Sequence, residues 1–374
     1  MATPKAKSLF LVVNVDWFFL SHRLPIALAA KESGYDVTII AIDSGQSEKI
    51  KSYGLKFMAI PTSRSGLNIF SEIRTLLFFI QRYRTEKPDI VHHVAMKPVI
   101  YGSLAARFTG IRKVVNAFSG MGFVFTTKNT ILRSFIFFLF KIAFKNKYIR
   151  FIFQNQDDLQ EVIQSGMIDL KYCYTIKGSG IDLQEFAYTP EPETEPIIFI
   201  LPARMLRTKG VQEFVDAAKI VDHNHPGKAH FILAGMIDLE NKAGIPEADL
   251  RSMCNIPAIQ WIGHQDDILS QLIKAHVVVL PSYREGIPKT LIEACAVGRA
   301  IITTNVPGCK EVVTHELNGL IVEKGQVAEL ALAIERLLLD KPLRTQMGKE
   351  GRKIAEAEFS IHSVIEKTIE IYEN

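Results

Sequence analysis

Apolar residues along this chain come in short runs of strand length, each followed by a longer stretch in which apolar and polar positions alternate with helical period. Runs that are apolar on both faces and rich in Val and Ile predict buried parallel strands, and the stretches between them predict amphipathic helices. In the first half the runs fall at 8–14, 37–42, 55–61, 88–93, 113–117 and 150–155, with helices at 21–33, 69–84 and 102–109. A second alternation begins at Ile197, with strands at 197–204, 229–235, 258–264, 277–279, 300–304 and 319–322 and amphipathic helices after them. Between the two lies Tyr188 to Pro196, rich in proline and acid, a linker with little to bury. Strand and helix in alternation predict an α/β protein of two doubly wound parallel sheets, with domains at 1–188 and 189–358 and a last helix over 359–374.

Ligands of such sheets bind at the carboxyl ends of the strands. In the first domain those ends carry Asn14 and Asp16, then His92, His93 and Lys97, then Asn116, Ser119 and Gly120. In the second they carry Arg204 and Lys209, Gly235, Gly263, and the stretch from Leu280 to Ala294. That stretch leaves the strand Val277-Val278-Val279 and enters a helix with Pro288 in its first turn. A helix N-terminus offers amides and the positive end of a dipole, and Gly286 admits a ligand close to the main chain, a geometry suited to phosphate. Glu285 and Glu293 frame it, and carboxylates accept hydrogen bonds from sugar or ribose hydroxyls. A phosphate site flanked by hydroxyl acceptors points to a nucleotide sugar.

These residues resemble a known family. Glu285-Gly286-Ile287-Pro288 with Glu293 looks like the E-x7-E motif of the family 4 retaining glycosyltransferases, and Arg204 with Lys209 resembles their Arg-x4-Lys pair. The resemblance implies the GT-B fold, two Rossmann-like domains facing a cleft, with the final helix crossing back to the first domain. It implies that Arg204 and Lys209 neutralise the leaving diphosphate without a metal or other cofactor, and that Glu285 holds a hydroxyl of the transferred sugar. Glu293 would then bind the ribose, the main chain around Gly286, Ile287, Pro288 and Lys289 the diphosphate, and the turns at Gly235 and Gly263 would lie near the nucleotide. The loop after the first strand departs from the family in lacking glycine, and Ser119-Gly120 stands where a His-Gly often does. On the acceptor side the expected residues are Asn14, Asp16, His93, Lys97, Ser119 and Gly120.

Charge narrows the partners. The whole chain carries +4, but the part up to Pro190 has 24 Lys and Arg against 14 Asp and Glu, and the remainder 20 against 26. With no nucleic-acid motif, a basic first half suits a phosphorylated acceptor or an anionic membrane. Within it, segment 126–156 mixes phenylalanines with Lys and Arg and holds no acid, and is expected to contact an anionic membrane surface. The four cysteines lack metal-ligand spacing and read as reduced thiols, no run of ~20 apolar residues occurs, and no signal peptide is expected from the polar start and the short apolar run at 9–13. The function expected is retaining transfer of a hexose or N-acetylhexosamine from a nucleotide diphosphate sugar, UDP-sugar favoured, to a polyprenyl-diphosphate-linked saccharide. Its expected place is cytoplasmic, peripheral at the inner face of the cytoplasmic membrane. A GT-B nucleotide-sugar epimerase and a non-catalytic nucleotide-sugar-binding protein remain alternatives, separated from transfer by acceptor-dependent release of nucleotide.

Overall fold

A computed structural model describes residues 6–61, 69–120, 130–145 and 148–374, and the chain divides into two compact units. The first comprises Met1–Ser179 with His362–Asn374, the second Gly180–Ile361. Residues 180–188, which the composition of the linker assigns to the first domain, thus lie in the second unit.

The first unit runs β1 (Ser8–Val15), α1 (Asp16–His22), α2 (Leu24–Glu32), β2 (Asp36–Ile42), α3 (Ser47–Ser52), β3 (Lys56–Ala59) and α4 (Ile69–Glu86). It continues with β4 (Ile90–Val94), α5 (Met96–Thr109), β5 (Lys113–Phe118), α6 (Thr130–Ala143), β6 (Ile149–Phe153), α7 (Gln156–Gln164) and β7 (Cys173–Thr175). Its strands are all parallel, in the order β3-β2-β1-β4-β5-β6-β7. Successive strand residues face opposite sides. Phe10 and Val12 therefore enter a core layer with Phe79 and Tyr83 of α4, Val99 and Leu104 of α5 and Phe140 of α6. Leu9, Leu11 and Val13 enter another, with Phe19 of α1, Ile26 and Ala30 of α2 and Ile50 of α3. The single helix expected over 21–33 is two: Pro25, which needs no amide partner in a first turn, starts α2 afresh after the break at Arg23.

The second unit runs β8 (Ile197–Pro202), α8 (Val211–Asn224), β9 (Ala229–Ala234), α9 (Glu247–Met253), β10 (Ile259–Trp261), α10 (Ile268–Lys274) and β11 (Val277–Leu280). Then come α11 (Lys289–Ala296), β12 (Ala300–Thr304), β13 (Gly319–Val322), α12 (Val327–Leu339) and α13 (Lys341–Glu358). Its parallel sheet has the order β10-β9-β8-β11-β12-β13. The linker is held against this unit rather than left in solvent. Arg299, fully buried, donates to the carbonyls of Thr189 (2.6 Å), Leu272 (3.0 Å) and Ile273 (2.9 Å), and Glu191 pairs with buried Arg344 at 3.1 Å. Burial lowers the Arg299 pKa to about 10, so it stays charged at neutral pH and the carbonyls are its acceptors.

The chain ends in α14 (Ile361–Glu373), whose residues from His362 belong to the first unit. Val364, Ile371 and Tyr372 join the core layer of Leu9 and Leu11, and Tyr372 meets His92 Nδ1 at 2.5 Å while its carbonyl accepts from Lys113 Nζ at 2.6 Å.

Candidate active site

In the second unit, β8 leads through α8 to β9 on one side, while β11 lies on the other side of β8. The strand order reverses between β8 and β11, and a crevice opens at the carboxyl ends of such a pair. Arg204 and Lys209 follow β8; Glu285, Lys289 and Glu293 follow β11. The Thr290 hydroxyl donates to the Pro202 carbonyl at 2.9 Å, fastening the first turn of α11 to the end of β8.

Three ion pairs fill this corner. Lys209 Nζ donates to Glu285 Oε1 at 2.5 Å, and the Ser282 hydroxyl donates to the same oxygen at 2.6 Å. Lys289 and Glu293 pair at 2.8 Å across one turn of α11, with the Glu293 side chain nearly buried. Arg204 pairs with the nearly buried Asp238 at 2.5 Å. Cations sufficient for a diphosphate are thus held in place and neutralised by carboxylates, two of which are free to accept hydroxyls once anionic oxygens take the cations over.

Close backbone approach shapes the loop. Gly308, at φ +82°, lies where an added Cβ would be 1.9 Å from the Gly286 carbonyl oxygen, and at Gly235 a Cβ would be 1.8 Å from the Ala203 carbonyl oxygen. Gly235 thereby lets the loop bearing Arg204 pass, and its own carbonyl accepts from Trp261 Nε1 at 2.9 Å. Gly263, at φ +71°, faces open space. Pro288 is the residue before α11 rather than one of its first turn, and its carbonyl accepts from the Leu291 amide at 3.0 Å. Ile287 is buried and anchors the loop in the core of the unit. Cys309 is buried beside the site; burial, then the Glu285 charge, push its thiol up to about 12, so it is no nucleophile at neutral pH.

The acceptor-side candidates of the first unit fare differently. Asp16 is fully buried, accepting from the amides of Trp17 (2.7 Å), Ser44 (2.7 Å) and Gln46 (2.9 Å) and from the Ser44 hydroxyl, so it organises the loop after β2. His93 is fully buried between the Tyr83 hydroxyl and Asn116 Oδ1, both at 2.8 Å. Strand alternation is the reason: a residue one position inside the strand end points into a helix layer, not out of the edge. Neither side chain reaches the surface for an acceptor. Lys97 is partly exposed at the start of α5 and pairs with Glu72 of α4 at 2.7 Å; Asn14, Ser119 and Gly120 are partly exposed.

Asp238 is the functional candidate that sequence reading missed. It stands three residues past Gly235 after a strand end, a legible position, but its pairing requires the loop after β9 to fold back onto Arg204. Ala95, between β4 and α5, has φ 74°, an unusual backbone for a residue with a side chain.

A model described as "Glycosyl transferase 4-like" matches residues 8–155, and one described as "Glycosyl transferases group 1" matches residues 184–354. The chain is 28% identical to the N,N'-diacetylbacillosaminyl-diphospho-undecaprenol alpha-1,3-N-acetylgalactosaminyltransferase of Campylobacter jejuni, over 95% of this chain and 97% of that protein. It is 24% identical to the UDP-Gal:alpha-D-GlcNAc-diphosphoundecaprenol alpha-1,3-galactosyltransferase of Escherichia coli, over 90% and 89%. Anabaena HepE, solved in complex with UDP-glucose, superposes with a TM-score of 0.78 over 98% of this chain and 99% of its own, at 17% identity. Two matched models that together span most of the chain, and two parallel sheets with the ion pairs at one switch point, place this protein in the family 4 glycosyltransferases of GT-B fold.

Proposed function

We propose that this glycosyltransferase moves a hexose or N-acetylhexosamine from a UDP-sugar to a saccharide carried on polyprenyl diphosphate, in the assembly of a bacterial surface polysaccharide or glycan. The relatives named above, from Campylobacter jejuni and Escherichia coli, act on diphospho-undecaprenol-linked sugars, and the second uses a UDP-sugar. The observation that carries the reading is the Lys209–Glu285 pair beside Ser282, joined at one strand edge with Arg204 and the Lys289–Glu293 pair.

The donor diphosphate takes Arg204 and Lys209 as counter-charges, together with amides at the start of α11. Released from Lys209, Glu285 accepts a hydroxyl of the sugar, and Glu293 accepts the ribose hydroxyls. As the bond from the anomeric carbon to the phosphate oxygen breaks, charge grows on the diphosphate, and fixed cations are most effective there. The acceptor hydroxyl attacks from the same face, its proton passes to the departing phosphate oxygen, and the new glycosidic bond keeps the donor's anomeric configuration. Two protein cations supply the charge that a metal would, so chelation leaves turnover unchanged. The first unit takes the acceptor, through Lys97 and the loops holding Asn14, Ser119 and Gly120, and the protein works peripherally at the inner face of the cytoplasmic membrane.

Thermal stabilisation by UDP, GDP, ADP and CMP, repeated on Glu293→Ala, tests the donor site. A shift with UDP that the variant loses supports the reading. An equal shift in both proteins removes Glu293 from the ribose, and a shift with GDP instead of UDP reassigns the base.

A further inference from the structure

The described residues of the basic, phenylalanine-rich segment 126–156 are less exposed than its composition predicts. Residues 126–129 and 146–147 lie outside the described residues. Among the described phenylalanines of α6, Phe140 is fully buried and stacks on Phe144 at 4.9 Å, Phe137 packs against the same core, and Phe138 alone is exposed. Among the described residues of this unit, an exposed apolar stripe runs along α4.

That helix has two unlike sides. Thr75, Phe79 and Tyr83 are buried against the sheet, while Phe70 (82% exposed), Ile73 (50%) and Leu77 (58%) recur at intervals of three and four and share the outer side. Arg74 and Arg84 are exposed on that side too, and Lys87 just past the helix. Of the two acids in the helix, Glu72 is engaged by Lys97, leaving Glu86 at the far end. Across α5, which packs between α4 and α6, the exposed residues among those described in α6 and its end are Ser134, Phe138, Lys141 and Lys145, again without an acid. Since α4 returns from the carboxyl end of β3, its apolar first half lies at the strand edge where Lys97, Ser119 and Gly120 are found, and its basic half lies farther back.

We propose that the outer face of α4 is the surface by which this protein seats on an anionic bilayer, with Phe70, Ile73 and Leu77 entering the acyl boundary and Arg74, Arg84 and Lys87 meeting headgroup phosphates. Two features select a membrane: apolar side chains flanked by cations with the neighbouring acid neutralised, and the nearness of the stripe to the edge assigned to the acceptor. This rests on the reading of the acceptor as lipid-linked and moves the principal membrane contact from segment 126–156 to α4. The apolar residues anchor and the basic residues select anionic lipid, so both are required.

Sedimentation with vesicles of phosphatidylcholine plus phosphatidylglycerol, against phosphatidylcholine alone, tests it on the full chain. Wild-type protein is expected on the mixed vesicles only. The double variant Ile73→Ser, Leu77→Ser is expected to lose binding about tenfold or more, each side chain giving up transfer from water to hydrocarbon. Arg74→Gln with Arg84→Gln is expected to abolish the preference for anionic lipid. Unchanged stabilisation by UDP in each variant shows the fold and donor site intact. If Phe138→Ser with Lys141→Gln and Lys145→Gln releases the protein while the α4 variants stay bound, the assignment to α4 is overturned but membrane seating stands. If wild-type protein ignores all vesicles, membrane seating itself fails. A wild-type dimer in solution that the α4 double variant converts to monomer would make this face an interface between copies, and would also overturn the proposal.

Discussion

Lys209, Glu285 and Ser282 share one oxygen, and that sharing makes a sharp demand on any variant there. Lys209→Met leaves the Glu285 carboxylate with the Ser282 hydroxyl and removes a cation from the leaving group. Loss of one fixed charge-stabilising donor typically costs 10²–10³ in turnover, so kcat is expected to fall about 100-fold or more with KM for donor changing less. Equal kcat in the variant would remove Lys209 from the leaving-group site. Glu293→Ala acts on binding instead. Hydrogen bonds to a charged group contribute about 1.5–3 kcal/mol, so the nucleotide Kd is expected to rise roughly tenfold or more, measurable by calorimetry. Lys209, Glu285 and Glu293 were legible in the sequence because their spacing follows strand ends and a helix start. Asp238 was not, since an ion pair across 34 positions depends on how a loop folds back. Nor was the commitment of Asp16 and His93 to interior hydrogen bonds, which depends for Asp16 on the loop after β2 closing over it and for His93 on which way a strand side chain points.

Histidines connect residue chemistry to the elements. Burial lowers His93 from 6.5 to about 4, and does the same to His276, whose Nδ1 accepts the Ile198 amide at 3.0 Å between β8 and β11. Between these pH values an unfolded chain binds protons that the folded chain refuses, so stability falls as pH falls from about 6.5 toward 4, and the dependence vanishes above that window. The urea midpoint should therefore drop between pH 7 and pH 5, and His276→Gln should flatten the slope; a midpoint constant over that range would contradict the buried neutral state. Gly308 makes a second prediction at this scale. Its left-handed backbone and the 1.9 Å approach to the Gly286 carbonyl mean that Gly308→Ala must push the loop before α11, with loss of both stability and UDP affinity. The order and type of most elements were readable from hydrophobic period because most strands are buried on both faces; the short, partly exposed β7 and the six-residue α3 carry no such signal and were not. The division of the first long helix at Arg23, and the pinning of the acidic linker by Arg299 and Arg344, were not, because each depends on partners distant in sequence. Segment 126–156 shows the limit of such reading: Phe140 packs inside while Phe138 is exposed, and an apolar run looks the same whether its partner is lipid or the sheet beneath it.

For the molecule as a whole, basic residues are in excess before Pro190 and acidic residues after it, the distribution that the proposed anionic, lipid-linked acceptor and a donor site with its own counter-charges would call for. With the leaving group stabilised by Arg204 and Lys209, transfer should persist in EDTA, and loss of turnover restored by a divalent ion would reassign that role to a metal. The most direct test of the account is release of UDP from UDP-N-acetylgalactosamine or UDP-galactose by wild-type protein, with and without a polyprenyl-diphosphate-linked saccharide, and with product configuration read by NMR. The account predicts release that requires the acceptor, is lost in Lys209→Met, and gives a product that keeps the α configuration of the donor. Release independent of acceptor, or an inverted β product, would contradict it.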